Sequence, residues 1–365
     1  MTKRIVHILL VVWVLLTATS CRLRPLEDPS EVVQIKVDVN VKAVTNVNAN
    51  IRNTVHVYGT TEGLWADKLE QLHPQLMRVL IYDPDTDKLI AQSFISATEN
   101  ENGDVMFTGN LGICYGNYNF LVYNFDTPTT QVTAENTESG ILAYTTEIST
   151  ATRRSLLGTK ADESDEYDGV SIRYEPEHLM VGNERNVRIS PHDTLVVIHT
   201  EATTVVDSYY LQVRVRGLEF ASSATAVISG LSPSNHIGLN KRTSDHPSAV
   251  AFELKKGQDI ELDGDSKDVL CAVFNTFGKI DGVSSELFVT FNVYDTAGNL
   301  LQYKANLDKV FESELAIEKH WLIIDDSVLV IDIPDPGTVP GQEGTGGGFQ
   351  PQVDDWQEET GEILL

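Results

Sequence analysis

The sequence predicts an all-β protein: two antiparallel β-sandwich domains in tandem, with short helices. Three observations carry that expectation. Short runs rich in Val, Ile, Tyr and Phe recur along the 365 residues, separated by clusters of Gly, Asn, Asp and Pro. Several runs alternate apolar and polar residues, the pattern of a strand with one buried and one wet face. A polar, acidic stretch, "STATRRSLLGTKADESDEYDG", then parts two strand-rich halves.

The chain opens on "MTKRIVHILLVVWVLLTATSC". Lys3 and Arg4 precede an apolar run from Ile5 to Leu16, and Thr17, Ala18, Thr19 and Ser20 lead to Cys21. As a helix that run spans about 18 Å, short of the ~30 Å hydrocarbon core. Positive start, short apolar middle and small closing residues predict a signal peptide over residues 1–20. The small residues before Cys21 also resemble the lipobox of bacterial lipoproteins, in which the cysteine is acylated and becomes the new N-terminus. Ala18 stands where leucine is commoner. Cys21 is therefore the expected lipidation site, and the alternative is an ordinary cleaved signal beside a chance cysteine. Each acyl chain would add about 0.8 kcal/mol per buried methylene, and more than one makes attachment stable.

Residues 21–30 read as a lipidated tether, with two prolines in "CRLRPLEDPSE". The N-terminal sandwich is expected over 31–150. In "VVQIKVDVNVKAV", Val33, Ile35, Val37, Val39 and Val41 alternate with polar residues, which suits an antiparallel sheet. "LMRVLIYD", "KLIAQSFIS", "DVMFTG", "YNFLVYNF" and "GILAYTTEI" follow as strands. "EGLWADKLEQLHPQL" has Leu64, Leu69 and Leu72 at helical spacing and predicts a short helix ending near Pro74.

A linker is expected at 151–170 and the C-terminal sandwich at 171–334. Its strands include "TLVVIHTEA", "SYYLQVRVRGL", "SSATAVISGL", "SAVAFELK", "VLCAVFNTF" and "ELFVTFNVYDTAGNLLQYKA". Ala297, Gly298 and Asn299 mark a hairpin turn. "LDKVFESELAIEKH" predicts a second short helix. Residues 335–365, rich in Gly, Pro and acidic residues, are expected to form a flexible tail.

The charge of −26 argues against nucleic acid and against adsorption to anionic lipid. Of the three cysteines, Cys114 and Cys271 sit in apolar runs and read as small buried hydrophobes rather than a bridge.

Catalytic and cofactor motifs are missing. There is no H-E-x-x-H, G-x-S-x-G, P-loop or dinucleotide fingerprint. "DPDTDK" opens like a calcium loop with Asp83, Asp85 and Asp87. Lys88 then stands where glycine is required and Phe94 where the bidentate glutamate belongs, so a solvated turn is the better reading. The histidines are scattered, and His199 in "LVVIHTEA" could face either way. No catalytic residue, cofactor or metal site is predicted, and the chain does not read as an enzyme. The aromatics Trp65, Trp321 and the "CYGNYNF" and "SYYLQ" clusters read as core, whereas Trp356 in the tail invites a partner.

Beyond these patterns the chain resembles the Bacteroidales surface lipoproteins of the fimbrillin superfamily, particularly the FimB-like fimbrial anchor and accessory subunit group. The resemblance rests on "TATSC", "LMRVLIYDPDTDKLIAQSF", "YYLQVRVRGLEFASSATAVISGLSPSN", "VLCAVFNTFGKI" and "GGGFQPQVDDWQEE", in that order. It implies two transthyretin-like sandwiches and a structural role at the outer membrane, lipid-anchored at the cell surface. It also implies contacts with fimbrial subunits by strand addition, in which an extended segment satisfies an exposed sheet edge. Pilin subunits of this superfamily are cleaved after an arginine in an early loop. Arg52 lies in that region, and Arg153 and Arg154 lie between the expected domains. The expected docking element is Ser327–Pro334 with the tail behind it; completion of its own sheet is the alternative. The resemblance further makes Asp193-Thr194-Leu195, Asp295-Thr296-Ala297 and Asp326-Ser327-Val328 look like O-glycosylation sequons. A surface glycan-binding lipoprotein is the competing function.

Overall fold

The structure is a computed structural model. It describes residues 32–40, 64, 65, 68 and 74–337, except 100–104, 126, 191–194, 244–245, 259–266 and 281–286. The signal segment, Cys21, the tether, Arg52 and Trp356 lie outside the described residues, as does the tail beyond Gly337.

The first strands are β1 (Val32–Asn40), β2 (Leu76–Asp83), β3 (Lys88–Glu99), β4 (Val105–Cys114) and β5 (Gly116–Asn124). Next come β6 (Thr130–Thr133), β7 (Leu142–Thr145), helix α1 (Thr150–Asp162) and β8 (Ile172–Arg173). They are followed by β9 (Met180–Ile189), β10 (Leu195–Glu201), β11 (Thr203–Thr204) and β12 (Asp207–Arg216). The run continues with β13 (Ala221–Leu231), β14 (Ser234–His236), β15 (Lys241–Arg242), β16 (Ser248–Glu253) and β17 (Lys255–Gln258). Last are β18 (Asp268–Thr276), β19 (Phe288–Asp295), β20 (Leu300–Asn306), α2 (Asp308–Phe311), α3 (Glu314–Lys319), β21 (Trp321–Ile324) and β22 (Val330–Asp332).

An eight-stranded sheet runs β10-β1-β4-β3-β2-β5-β9-β11. Its central strands are buried on both faces, which explains the unbroken apolar runs "LMRVLIYD" and "YNFLVYNF". Met77, Val79, Ile81, Phe120 and Val122 pack into one cluster with Phe107, Ile113 and Ile198. Leu80, Tyr82, Leu121 and Tyr123 face the other way, against Ile141, Ala143, Ile237 and Phe277. A four-stranded sheet, β15-β14-β7-β6, lies on that second side.

Two further sheets, β17-β18-β12-β21 (with β22 also on β12) and β20-β19-β13-β16-β8, enclose the largest cluster, with Leu211, Phe252, Phe274, Phe291 and Leu322 inside. The all-β sandwich expectation therefore holds. Pairing is mainly antiparallel, but β1 joins β10, β21 and β22 join β12, and β8 joins β16 in parallel. The predicted turn at 297–299 is a hairpin in which Asp295 accepts from the Ala297 and Asn299 amides at 2.9 and 2.8 Å. The helix expected in 307–320 is split into α2 and α3, the latter capped by the Ser313 hydroxyl, which accepts from Ala316 N at 3.2 Å. In the first predicted helix, Leu64, Trp65 and Lys68 are helical.

Two expectations need correction. Residues 151–170 are not a bare linker. α1 fills most of that stretch, capped by Ser149, whose hydroxyl accepts from Thr152 N at 3.0 Å. Leu157 and Ala161 are buried with Tyr167, Ile172, Val227 and Ala249 on the outer face of the β13–β16 sheet. α1 breaks at Gly158 (φ +73°), so Leu157 lies before the break and Ala161 after it, and both are buried beneath a charged surface. Nor does the stretch divide the sheets. β9, β10 and β11 complete the first sheet, and β14 and β15 complete the sheet that covers it.

The second correction concerns Ser327–Pro334, expected to dock a partner. β22 pairs with β12, and Ile331 and Ile333 are buried in the main C-terminal cluster. The alternative, completion of its own sheet, is what forms.

Candidate assembly site

β1 is paired along both sides: antiparallel to β4 from Val32↔Cys114 to Asn40↔Met106, and parallel to β10 from Gln34↔Leu195 to Asn40↔Glu201. The register sets Val33, Ile35, Val37 and Val39 opposite Ile113, Leu111, Gly109 and Phe107. On those flanking strands Phe107, Ile113 and Ile198 are buried in the same cluster, with Leu111 and Val196 packed against it. The strand is therefore seated between two edges that would otherwise present unpaired backbone groups, beside an apolar core. Gly109 keeps the sheet tight here, because a Cβ would drive into the Ile95 side chain.

Lys68 pairs with Glu175 at 2.6 Å, and the same carboxylate oxygen accepts from Asn275 N at 2.8 Å. Close by, Trp65 is 1% exposed and packs on Tyr210, Val269, Cys271 and Val273, on the outer face of the β12–β18 sheet. A segment lying between β1 and β2 in sequence is thus held on the C-terminal sandwich.

His178 is the other buried polar centre, 4% exposed. Its Nε2 lies 2.9 Å from Ser208 Oγ and its Nδ1 2.8 Å from Thr204 Oγ1. Asn275 Nδ2 donates to the Pro176 carbonyl, so its oxygen accepts from Ser208 at 2.6 Å. Ser208 has then used its proton, and His178 Nε2–H donates to it while Nδ1 accepts from Thr204. That direction is opposite to a nucleophile activated by a base. Burial, and secondarily the charge of Lys68, pushes the His178 pKa down to about 3, so the ring is neutral.

The remaining candidates fall into place individually. Asp83 Oδ1 accepts from the Asp85 and Thr86 amides at 2.8 and 3.2 Å, and Asp87 accepts from the Ser139 hydroxyl and amide. The would-be calcium loop is a turn closed by its own backbone. His199 is exposed on β10. Cys271 is buried with its thiol pushed up by burial, and Cys114 is free of a disulfide. Thr296 and Ser327 are exposed in turns. Asp193 and Thr194 lie outside the described residues.

One feature escaped sequence reasoning. Phe94, on β3, is 52% exposed, and its ring lies 5.2 Å from that of Phe125. Apolar residues on both faces of "KLIAQSFIS" left no signal for which face would be covered.

The architecture defines a class: a tandem β-sandwich protein whose N-terminal strand is laid into its own first sheet. Residues 65–253 match the family described as "Domain of unknown function (DUF5119)", and the chain belongs to that family. A Bacteroides ovatus protein named, provisionally, fimbrium anchoring subunit Fim4B is 25% identical over 194 residues, 53% of this chain and 51% of that protein. The match thus spans about half the length of that curated relative. Among solved structures, a Bacteroides ovatus protein described provisionally as an adhesin shares the fold, with a TM-score of 0.55 at 18% identity over 87% of this chain and 98% of that one. The fimbrial anchor protein Mfa2 from Porphyromonas gingivalis overlays at a TM-score of 0.43 and 12% identity, covering 80% and 88%, too loosely to carry weight.

Proposed function

We propose that this protein is a surface-displayed anchor or accessory subunit of a fimbria, held to the outer membrane by acylated Cys21 and joined to fimbrial subunits by strand addition. The observation that carries the reading is the seating of β1. Both of its edges are paired within the same chain, so the groove between β4 and β10 holds no place for a partner's strand. A subunit with this groove filled accepts nothing there and suits the end of a fibre rather than its repeating shaft. The relation to a relative named as a fimbrium anchoring subunit supports the same reading. With 327–334 committed to the core, the segment assigned to partner contact is residues 338–365, "TVPGQEGTGGGFQPQVDDWQEETGEILL".

The test is crosslinking in native membranes, followed by mass spectrometry of the Cys21 peptide and of the co-purified proteins. It is run on the full chain and on a chain lacking residues 338–365, which leaves β22 in place. Acylated Cys21 and fimbrial subunits that disappear on truncation are expected. An unmodified Cys21 refutes the anchor, and subunits retained by the truncated chain refute the role of the tail.

A further inference from the structure

A half-open pocket of about 340 Å³ lies between the first sheet and the β6 edge of the sheet that covers it, lined by Arg78, Tyr123, Phe125, Gln131, Val132 and Glu135 among others. Its rim is Phe94. The β6–β7 connection reaches β3 at Leu89, whose amide donates to the Asn136 carbonyl at 3.0 Å; further along the strand Ile90 and Phe94 are each about half exposed. Phe125 braces the Phe94 ring at an interplanar angle of 46°, and the Arg78 guanidinium lies 5.9 Å from the ring centre.

Arg78 organises the polar side of the pocket. Its Nη1 pairs with Glu135 Oε1 at 2.8 Å and its Nη2 donates to Gln92, while the Tyr123 hydroxyl donates to the same Glu135 oxygen. The Arg78 Nε–H is buried and has no acceptor. Buried donors are almost always satisfied, and an orphan beside a pocket calls for an acceptor from outside the chain. Gln131 is fixed on the opposite wall by the Tyr144 hydroxyl, which donates to it at 3.0 Å.

We propose that this pocket binds a neutral saccharide ring, stacked on Phe94 and hydrogen-bonded by Arg78, Glu135 and Gln131. An exposed aromatic face matches the apolar C–H face of a pyranose. Planar amide, guanidinium and carboxylate groups beside it offer adjacent donors and acceptors, the complement of vicinal hydroxyls. The Arg78–Glu135 pair cancels its own charge, and the chain as a whole carries −26, so an anionic ligand is disfavoured. Strand addition at β6 fits poorly. That edge is four residues long, and its Thr130 carbonyl already accepts from the Thr127 hydroxyl at 2.6 Å. The volume suits one or two sugar residues. This site is independent of the fimbrial reading.

The test uses the full chain in detergent against a panel of methyl glycosides of glucose, galactose, mannose, fucose and N-acetylglucosamine, followed by saturation-transfer NMR and calorimetry. Phe94→Ala and Gln131→Ala are compared with Ile90→Ala, an exposed neighbour on the same strand. At least one glycoside is expected to bind, with affinity falling about tenfold in Phe94→Ala and Gln131→Ala and unchanged in Ile90→Ala. The proposal is overturned if no glycoside binds, or if binding survives both pocket variants. Binding that survives Gln131→Ala but not Phe94→Ala overturns the assigned role of Gln131. Equal loss in Ile90→Ala overturns the stacking assignment.

Discussion

His178 makes the stability of this fold depend on pH in a calculable way. The ring is neutral in the folded chain because burial holds its pKa near 3, against 6.5 for an exposed imidazole. A folded pKa below the unfolded one gives stability that is complete above about pH 6.5 and is lost as the pH falls toward 3. At about pH 5 the unfolded chain has taken its proton and the folded chain has not, which costs ~2 kcal/mol; near pH 4 the cost is ~3 kcal/mol. Carboxylates, 53 in this chain, titrate in the lower part of the same range and add their own slope, so the comparison is with His178→Gln. The amide can still donate to Ser208, and Thr204 still has the Val206 carbonyl at 3.1 Å. The variant is expected to be about 1 kcal/mol less stable at neutral pH, from the lost Thr204 bond. Its stability should then fall less steeply with acid, so the two curves cross near pH 6 and the variant is ahead by about 1 kcal/mol at pH 5. Urea midpoints followed by tryptophan fluorescence across that range decide the matter. Parallel curves would show that His178 takes its proton in the folded state, and the buried network would be misassigned.

Two more perturbations probe other parts of the structure. Trp65→Ala removes the side chain that seals Tyr210, Val269 and Cys271, and should cost about 3–5 kcal/mol, with faster proteolysis in the segment between β1 and β2. Unchanged proteolysis would mean that the segment is held without Trp65. Gly217→Ala places a side chain at φ +72°, where a Cβ meets the Ile333 carbonyl. It should destabilise by about 1–3 kcal/mol and speed hydrogen exchange at Ile333 N, which donates to Arg216 at 2.9 Å. A neutral substitution would mean that the chain shifts there at little cost.

Local pattern carried the strands and turns well. Alternation in "VVQIKVDVN" and "LQVRVR" corresponds to β1 and β12, and the turn residues at 295–299 form the expected hairpin. Partnership between distant strands was not legible. Nothing in "MVGNERNVRI" says that β9 pairs with β5 rather than with a C-terminal strand, because pairing is decided by the whole fold. The acidic surface of 151–170 concealed the buried Leu157 and Ala161, and the short apolar run at 328–333 reads the same whether it completes its own sheet or another's. The pocket escaped for a related reason: the β6–β7 connection, from elsewhere in the chain, reaches β3 at Leu89, and Phe94 further along the strand is left exposed.

The placement of β14 and β15 also dictates when the first half can fold. They run antiparallel with each other, β14 pairs with β7, and Ile237 lies in the core beneath. That core also holds Phe277, so it cannot close until residue 277 has been synthesised, well after β2–β5 are available. A chain cut at 150 or 170 would leave Leu80, Tyr82, Leu121 and Tyr123 partly uncovered. Pairings this distant in sequence make folding slow and expose strand edges meanwhile. The emerging chain must therefore be kept from aggregating for most of its length before either core is complete.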